Sequence, residues 1–421
     1  MVPWLLRAAA AHPDRPAVNA LDYTELEARA RAAAGGLRER GVAQGDRVAL
    51  TLPSGVEFAV AVHGCLLAGA VAVPIDFRLT PSERELRLAS AKLILEEPPR
   101  GGPLAEVPPL DLEAAATLMH TSGTTAAPKQ VPLTYGNWLA SALGSAVALG
   151  LEQQERWLCP MPLVHVGGLS IVIRSVIYGT TAVLLERFDP EAVTALLMDP
   201  SEEITLVSLV PTMLARLLDA GLQSPPRLRW ALLGGGPIRG SLLDRAAAAR
   251  VPVAPTYGMT EACSQIVTAG WPLPGVSLRI GGDGEILVRG ATVSAASLAS
   301  DGWLHTGDLG SLDDRGRLHV SGRLADTIVS GGENVAPVEV EAVLLEHPGV
   351  ADAAVHGRAD RDWGEAVVAT VVPRDGVDVD PGELRAFCGE RLAPFKVPKA
   401  VEFADRLPRS ETGKLLRGQL R

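Results

Sequence analysis

Between residue 117 and about residue 290 the chain alternates. Short apolar runs recur, "RWLCPMPL", "TAVLLE", "ITLVSLVP", "LRWALLGGG" and "VPVAPTYG", and segments of helical period separate them. Strands that are apolar along their whole length are buried on both faces, as in a parallel sheet covered by helices. The first 110 residues repeat the pattern: "RVALTLP" and "GAVAVPID" read as strands, and "TELEARARAAAGGLRERG" as a helix closed at Gly41. The expected fold class is therefore α/β, with a large N-terminal domain of parallel-rich sheets and flanking helices.

The C-terminal part differs. "DTIVSGG", "DAAVHGR" and "EAVVATVVP" read as strands spaced by two helices. One helix starts at Pro337, with Val340, Val343 and Leu344 on a common face. The other starts at "DPGEL", where Asp380 and Glu383 have capping-box spacing. This predicts a small α+β domain, with the join near Ser321 to Asp326: residues 1–322 form the large domain and 323–421 the small one. The Pro/Gly-rich "EEPPRGGPLAEVPPL" reads as a loop.

The run "FAVAVHGCLLAGAVAVPI", Phe58 to Ile75, has no formal charge and is long enough to span a bilayer. Gly69 followed by a β-rich stretch ending in Pro74 argues instead for a buried helix and then a buried strand. No membrane span is expected. The N-terminal alanines suggest a signal peptide only superficially, because Arg7 interrupts the short apolar run; an ordinary first helix is expected. The net charge of −10 and an aromatic content of 4% argue against nucleic-acid binding and a polybasic membrane patch. Cys65, Cys159, Cys263 and Cys388 are too widely spaced for a metal pair or a disulfide framework, which suits a reducing cytoplasm.

Several motifs carry chemistry. "LMHTSGTTAAPKQVPLTYGN" packs Thr121, Ser122, Gly123, Thr124, Thr125 and Lys129 after an apolar lead-in. Small consecutive residues let backbone N–H groups form an anion nest, yet a polar turn has the same composition. Gly235, Gly236 and Pro237 follow the apolar "LRWALL", at the strand end where open α/β sheets bind ligands; a tight strand–helix turn is the plainer alternative. In "TYGMTEAC", Tyr257 suits stacking on a base, Gly258 close approach, Thr260 a phosphate and Glu261 Mg²⁺; a helix N-terminus capped by Thr260 is the alternative. "GWLHTGDLG" puts Asp308 in a Gly-flanked turn, where a carboxylate suits a ribose and a hairpin turn is the alternative. Arg323, Gly331, Gly332 and Glu333 lie in "GRLADTIVSGGENVAPVEVE", and Lys414 follows Gly413 near the end.

The order and spacing of these segments resemble the adenylate-forming superfamily: acyl-CoA synthetases, peptide-synthetase adenylation domains and luciferases. The resemblance runs from "HPDRPAV" to Lys414 through TSGTT…PK, YGMTE, TGD, GR…GGEN and the late GK. It implies that the opening loop holds pyrophosphate. It implies ATP and CoA as substrates, with Mg²⁺ on Glu261, and a mobile small domain carrying the catalytic Lys414. Thr121, Ser122, Gly123, Thr124, Thr125, Lys129 and Thr260 would hold phosphates, Asp308 and Arg323 the ribose, and Gly235 to Pro237 with Tyr257 and Gly258 the adenine. Ala325 would be the hinge of a domain rotation between adenylation and thiol attack, after which Gly331 and Gly332 would line the CoA tunnel.

"MPLVHVGGLSIVIRSVIYG", "VSLVPTML" and "YGMTEACSQIVT" are similar, more closely, to the o-succinylbenzoate–CoA ligases of menaquinone biosynthesis. That resemblance puts His165 at the acyl substrate and near the chemistry; Arg174, Ser208, Thr212, Ser264 and Gln265 are further candidates for the acyl pocket. Arg174 sits in an apolar helix, where it pairs either with a substrate carboxylate or with solvent or a nearby Glu. Two departures stand out: Ala126 and Gln130 replace glycines usual in the phosphate loop, and the chain is short for the family. Other aryl- or fatty-acyl-CoA synthetases, an aminoacyl-adenylating module and an AMP-binding pseudoenzyme are the rival readings. A homo-oligomer is left open.

Overall fold

The structure, a computed structural model, describes residues 1–121, 128–330, 333–361, 363–409 and 415–420. The chain divides into two units, Met1–Ser277 with Val288–Leu304 and Leu278–Leu287 with His305–Arg421.

The first unit is built on two sheets. In the larger, the strands Val253–Met259, Trp230–Leu233, Leu206–Leu209, Arg156–Cys159, Thr181–Leu184 and Pro16–Val18 lie side by side and all parallel. Antiparallel strands, Ser264–Thr268 with Trp271–Pro272 at one edge and Leu21–Asp22 at the other, close it. The fully apolar runs of the sequence are its central strands, buried along their length. The second sheet runs Leu93–Leu95, Arg47–Leu50, Val71–Pro74, Ala115–Thr121, Lys129–Thr134; only the last pairing is antiparallel.

Small residues set the helix packing. Helices Tyr23–Glu39 and Val56–Ala68 meet so closely that a Cβ on Gly64 would stand 2.7 Å from that of Ala33. The charge-free stretch breaks as expected: the second of these helices ends at Gly69, in the left-handed region, and the buried strand Val71–Pro74 follows. No helix among the described residues is long and apolar enough to cross a membrane. The alanine-rich start forms the helix Trp4–Ala11.

In the second unit, the long hairpin Val350–Asp360 and Gly364–Pro373 carries the strands Ile328–Ser330, Glu333–Val335 and Ala400–Phe403. Helices Pro337–Glu346 and Pro381–Gly389 supply Val340, Leu344, Leu384 and Cys388 to its core. Proline is first in both helices, as the sequence predicts. Asp380 caps the backbone N–H groups of Gly382 and Glu383; the Glu383 carboxylate lies 3.3 Å from His347 Nε2.

Candidate active site

The antiparallel pair Ala115–Thr121 and Lys129–Thr134 flanks the glycine- and threonine-rich loop, with Thr121 opposite Lys129 in register. Ser122, Gly123, Thr124, Thr125 and Ala126 lie outside the described residues. Lys129 Nζ stands 3.2 Å from Glu261 Oε1. Gln130 is in regular strand, and it is absent from the described residues with positive φ, so the missing glycine there leaves no backbone strain. Its Oε1 accepts from Arg47 at 3.4 Å. Beside it, burial and the charges of Arg87 and Arg47 push the His120 imidazole down to about 4, so the ring before the loop is neutral near pH 7. The "TYGN" that follows is a capping box: Thr134 and Asn137 cap each other's backbone at the start of helix Tyr135–Leu149. Asn137 also donates to the carbonyls of Ala291 and Val293.

Gly235, Gly236 and Pro237 are exposed at the carboxyl end of the parallel strand Trp230–Leu233, with Gly235 at φ 79°. Tyr257 and Gly258 lie within the strand Val253–Met259. A Cβ on Gly258 would stand 1.8 Å from the Ser264 carbonyl oxygen, so only glycine fits there. Thr260 does not cap an α-helix. It opens the short 3₁₀ turn Thr260–Ala262, after which Cys263 and Ser264 take φ of 53° and 89°. Two consecutive left-handed residues other than glycine are costly, and they fold the chain straight back into the strand Ser264–Thr268. Glu261 sits inside that reversal, its carbonyl accepting from the Ser294 N–H at 2.8 Å.

Arg174 is 0% exposed within helix Val166–Tyr178. It is closed to solvent and has no Glu partner among the described residues. Nη1 donates to Gln265 Oε1 at 2.6 Å and Nη2 to Ser141 Oγ at 2.7 Å. The structure thus brings two of the sequence-predicted acyl residues together. Ser208 is buried and accepts from the Trp157 indole at 2.9 Å; Thr212 is exposed in the first turn of helix Pro211–Asp219. His165 is exposed at the N-cap of the Arg174 helix. Ser264 is half-buried. Ser141 and Thr268, which complete this cluster, carry no signal in the sequence beyond being polar in apolar stretches.

In the second unit Asp308 belongs to the strand Leu304–Leu312 rather than to a turn. The turn lies further on, at the Asp313–Gly316 stretch that resembles one in sequence; Asp313 accepts from the N–H groups of Arg315 and Arg317, which holds its carboxyl down at about 2. Asp308 is buried and faces Arg323 across the ladder, with Arg323 Nε 2.9 Å from Asp308 Oδ1. Ala325 lies in the 3₁₀ turn Leu324–Asp326. Gly331, Gly332 and Lys414 lie outside the described residues. Just beyond Lys414, Arg417 pairs with both oxygens of Glu341 and with Asp326 at 3.3 Å. This anchor is invisible in the sequence, because its carboxylates lie 76 and 91 residues away.

Among the described residues no group of three His, Cys, Asp or Glu side chains is placed to hold a metal. Mg²⁺ asks for less: one or two carboxylates plus phosphate oxygens and water. Glu261, partly exposed and 3.2 Å from Lys129 Nζ, fits that requirement.

A parallel sheet with glycine-rich turns at its carboxyl edge, and the Lys129–Glu261 pair between the strand after residue 128 and the Thr260–Ala262 turn, are the setting an adenylate-forming enzyme needs, and similarity to known proteins assigns the chain to that class. The AMP-binding enzyme model matches residues 5–98 and 94–296, and that of the AMP-binding enzyme C-terminal domain matches 339–414. The chain belongs to the AMP-binding enzyme family, as an AMP-forming acid–thiol ligase that works through an acyl-adenylate. It is 42% identical to the 2-succinylbenzoate–CoA ligase of Bacillus licheniformis over 99% of this chain and 98% of that one. The o-succinylbenzoate CoA synthetase of Bacillus subtilis, solved with the acyl-adenylate OSB-AMP, superposes with a TM-score of 0.91 at 38% identity, covering 100% of this chain and 98% of that one. ATP-bound MatB from Rhodopseudomonas palustris gives 0.89 at 27% identity, covering 99% and 98%.

Proposed function

We propose that this chain converts 2-succinylbenzoate, ATP and CoA into 2-succinylbenzoyl-CoA, AMP and pyrophosphate, a step of menaquinone biosynthesis. The observation that carries the choice of acid is Arg174, a buried guanidinium with no carboxylate partner among the described residues. A buried cation without a counter-charge favours an acid with a second carboxylate over benzoate or a fatty acid. The named activity of the Bacillus relatives supports the same reading.

A carboxylate oxygen attacks the α-phosphorus of ATP, and the bond to the pyrophosphate oxygen breaks. Two anions meet in that step, so positive charge has to stand between them. Lys414 supplies it, and Thr121, Ser122, Gly123, Thr124, Thr125, Thr260 and Lys129 receive the leaving phosphates. Mg²⁺ on Glu261 would neutralise phosphate charge. Tyr257, Gly258 and Gly235 to Pro237 flank the adenine, and Asp308 with Arg323 holds the ribose. His165, Ser208, Thr212, Ser264 and Gln265 line the acyl end.

In the second half-reaction the CoA sulfur attacks the acyl carbon and AMP leaves. We assign the exchange of half-reactions to rotation of residues 323–421 against 1–322 about Ala325, which brings Gly331 and Gly332 to the CoA path. The co-substrates, and four buried cysteines that are all free, suit the cytoplasm.

The test is thioester formation by the purified protein with MgATP and CoA, comparing 2-succinylbenzoate, benzoate, a medium-chain fatty acid and no acid. Preference for 2-succinylbenzoate is expected. Turnover of another acid alone would make the chain an aryl- or fatty-acyl-CoA synthetase. Binding of AMP with no product from any acid would make it a pseudoenzyme.

A further inference from the structure

Arg174 is held in an unusual way. Tyr178 and Cys263, the titratable groups that act on it, are both kept protonated: burial raises the Tyr178 phenol and pushes the Cys263 thiol up to about 12. The guanidinium is therefore embraced only by neutral acceptors, Gln265, Ser141 and, at 3.5 Å, Ser145; its Nε has no partner among the described residues.

The polarity of these bonds follows by elimination. Arginine only donates, so Gln265 must present Oε1 to it. Gln265 Nε2 then faces away and donates to Thr268 Oγ1 at 2.8 Å. Thr256 Oγ1 donates to the Val267 carbonyl at 2.8 Å, so at the 3.3 Å contact between the two threonines it is Thr268 that donates. On the other side, Ser141 accepts from Arg174 and gives its own proton to the Cys263 carbonyl at 2.6 Å. Two one-way donor chains leave the same guanidinium. One ends on Val267, beside the Tyr257 strand. The other ends on Cys263, the first left-handed residue after the Glu261 turn.

We propose that Thr268 and Ser141 are positioning residues: Thr268 fixes the Gln265 amide so that Arg174 keeps one orientation towards the acid, and Ser141 pins the left-handed Cys263–Ser264 reversal that sets Glu261. Neither touches a reacting atom. The acid pocket and the magnesium carboxylate are thereby built as one hydrogen-bonded unit, with a polarity that Arg174 sets and the hydroxyls at 141 and 268 relay by accepting on one side and donating on the other. The proposal rests on the reading that Arg174 serves the acid and Glu261 the metal.

The test uses the full chain carrying Thr268→Val, Thr268→Ser or Ser141→Ala. KM is measured for 2-succinylbenzoate and for MgATP, and the ligand-free crystal structure of Thr268→Val is determined. In Thr268→Val we expect KM for the acid to rise about tenfold and KM for MgATP to stay within about twofold. Thr268→Ser should restore the acid KM to within about twofold of wild type. Ser141→Ala should raise both KM values. In the Thr268→Val crystal, Gln265 Oε1 should leave Arg174. Unchanged kinetics in Thr268→Val, equal impairment of Thr268→Ser, or an unmoved Gln265 overturns the Thr268 assignment; a Ser141→Ala change confined to the acid overturns the link to Glu261. If the wild type instead uses another acid, the substrate reading fails, and the Gln265 position in the crystal still decides whether Thr268 orients it.

Discussion

Lys129 Nζ and Glu261 Oε1 stand 3.2 Å apart, joining the strand that leaves the phosphate loop to the turn behind Tyr257. The lysine side chain is 48% exposed and the glutamate 15%, so the pair adds no more than about 1 kcal/mol to stability. Its value is positional, since it sets a cation and a carboxylate side by side where ATP phosphates and Mg²⁺ would enter. Glu261→Gln should keep its melting temperature within a few degrees, yet lose about 100-fold in the rate of pyrophosphate release. A Mg²⁺ titration of that rate is the check, and wild-type rates in the variant would remove Glu261 from the metal role.

Asp308 and Arg323 make a comparable case in the second unit. The carboxylate is buried and the arginine side chain 49% exposed, so Asp308→Asn leaves a guanidinium that water can still solvate. Stability should fall by no more than about 1 kcal/mol. On the proposed ribose role, KM for ATP should rise about tenfold, as a charge-assisted bond to a ribose hydroxyl is lost. Deoxy-ATP would separate the two effects, because a variant lacking that bond should discriminate less between ATP and its deoxy analogue.

What the sequence made legible follows from how local each signal is. The buried parallel strands, the Gly69 break and the proline-led helices depend on neighbours within a few residues, and each lies where its pattern predicts it. Asp308 was misplaced because a Gly-flanked carboxylate looks like a turn, while its strand identity comes from pairing with Arg323 across the ladder. Thr260 read equally well as a helix cap, since nothing nearby reveals the left-handed Cys263 and Ser264 that end the turn. The partners of Arg174 were invisible for the same reason: Ser141 and Gln265 lie 33 and 91 residues away.

Lys414 invites a half-reaction test. Arg417, three residues on, is tied to Glu341 and Asp326, so the segment after Lys414 is anchored within the second unit. Lys414→Ala should abolish acyl-adenylate formation, by at least about 1000-fold in pyrophosphate exchange, because Mg²⁺ and Lys129 would serve the phosphates and leave the attacking carboxylate without a counter-charge. Thioester formation from supplied acyl-adenylate and CoA should survive largely intact, because there Lys414 has no charge to neutralise. Equal loss of both half-reactions would show a structural role instead.

His63 should contribute to the first acid loss of stability. It is 2% exposed in helix Val56–Ala68; the Val172 backbone bonds its ring, while Nε2 has no partner among the described residues. Burial drives its pKa from 6.5 down to about 4. The unfolded chain takes up this proton below pH 6.5 and the folded chain only near pH 4, so between those values unfolding binds protons and stability falls as pH falls. The full displacement corresponds to about 3 kcal/mol, present above pH 6.5 and gone by about pH 4. His120 adds to the same window in the same direction, whereas Asp313, held down at about 2, acts only below it. Urea midpoints measured from pH 7.5 to 4.5 should therefore slope downward in the wild type and more shallowly in His63→Leu, whatever the variant's stability at neutral pH. Parallel slopes in the two proteins would mean that His63 is already protonated in the folded state.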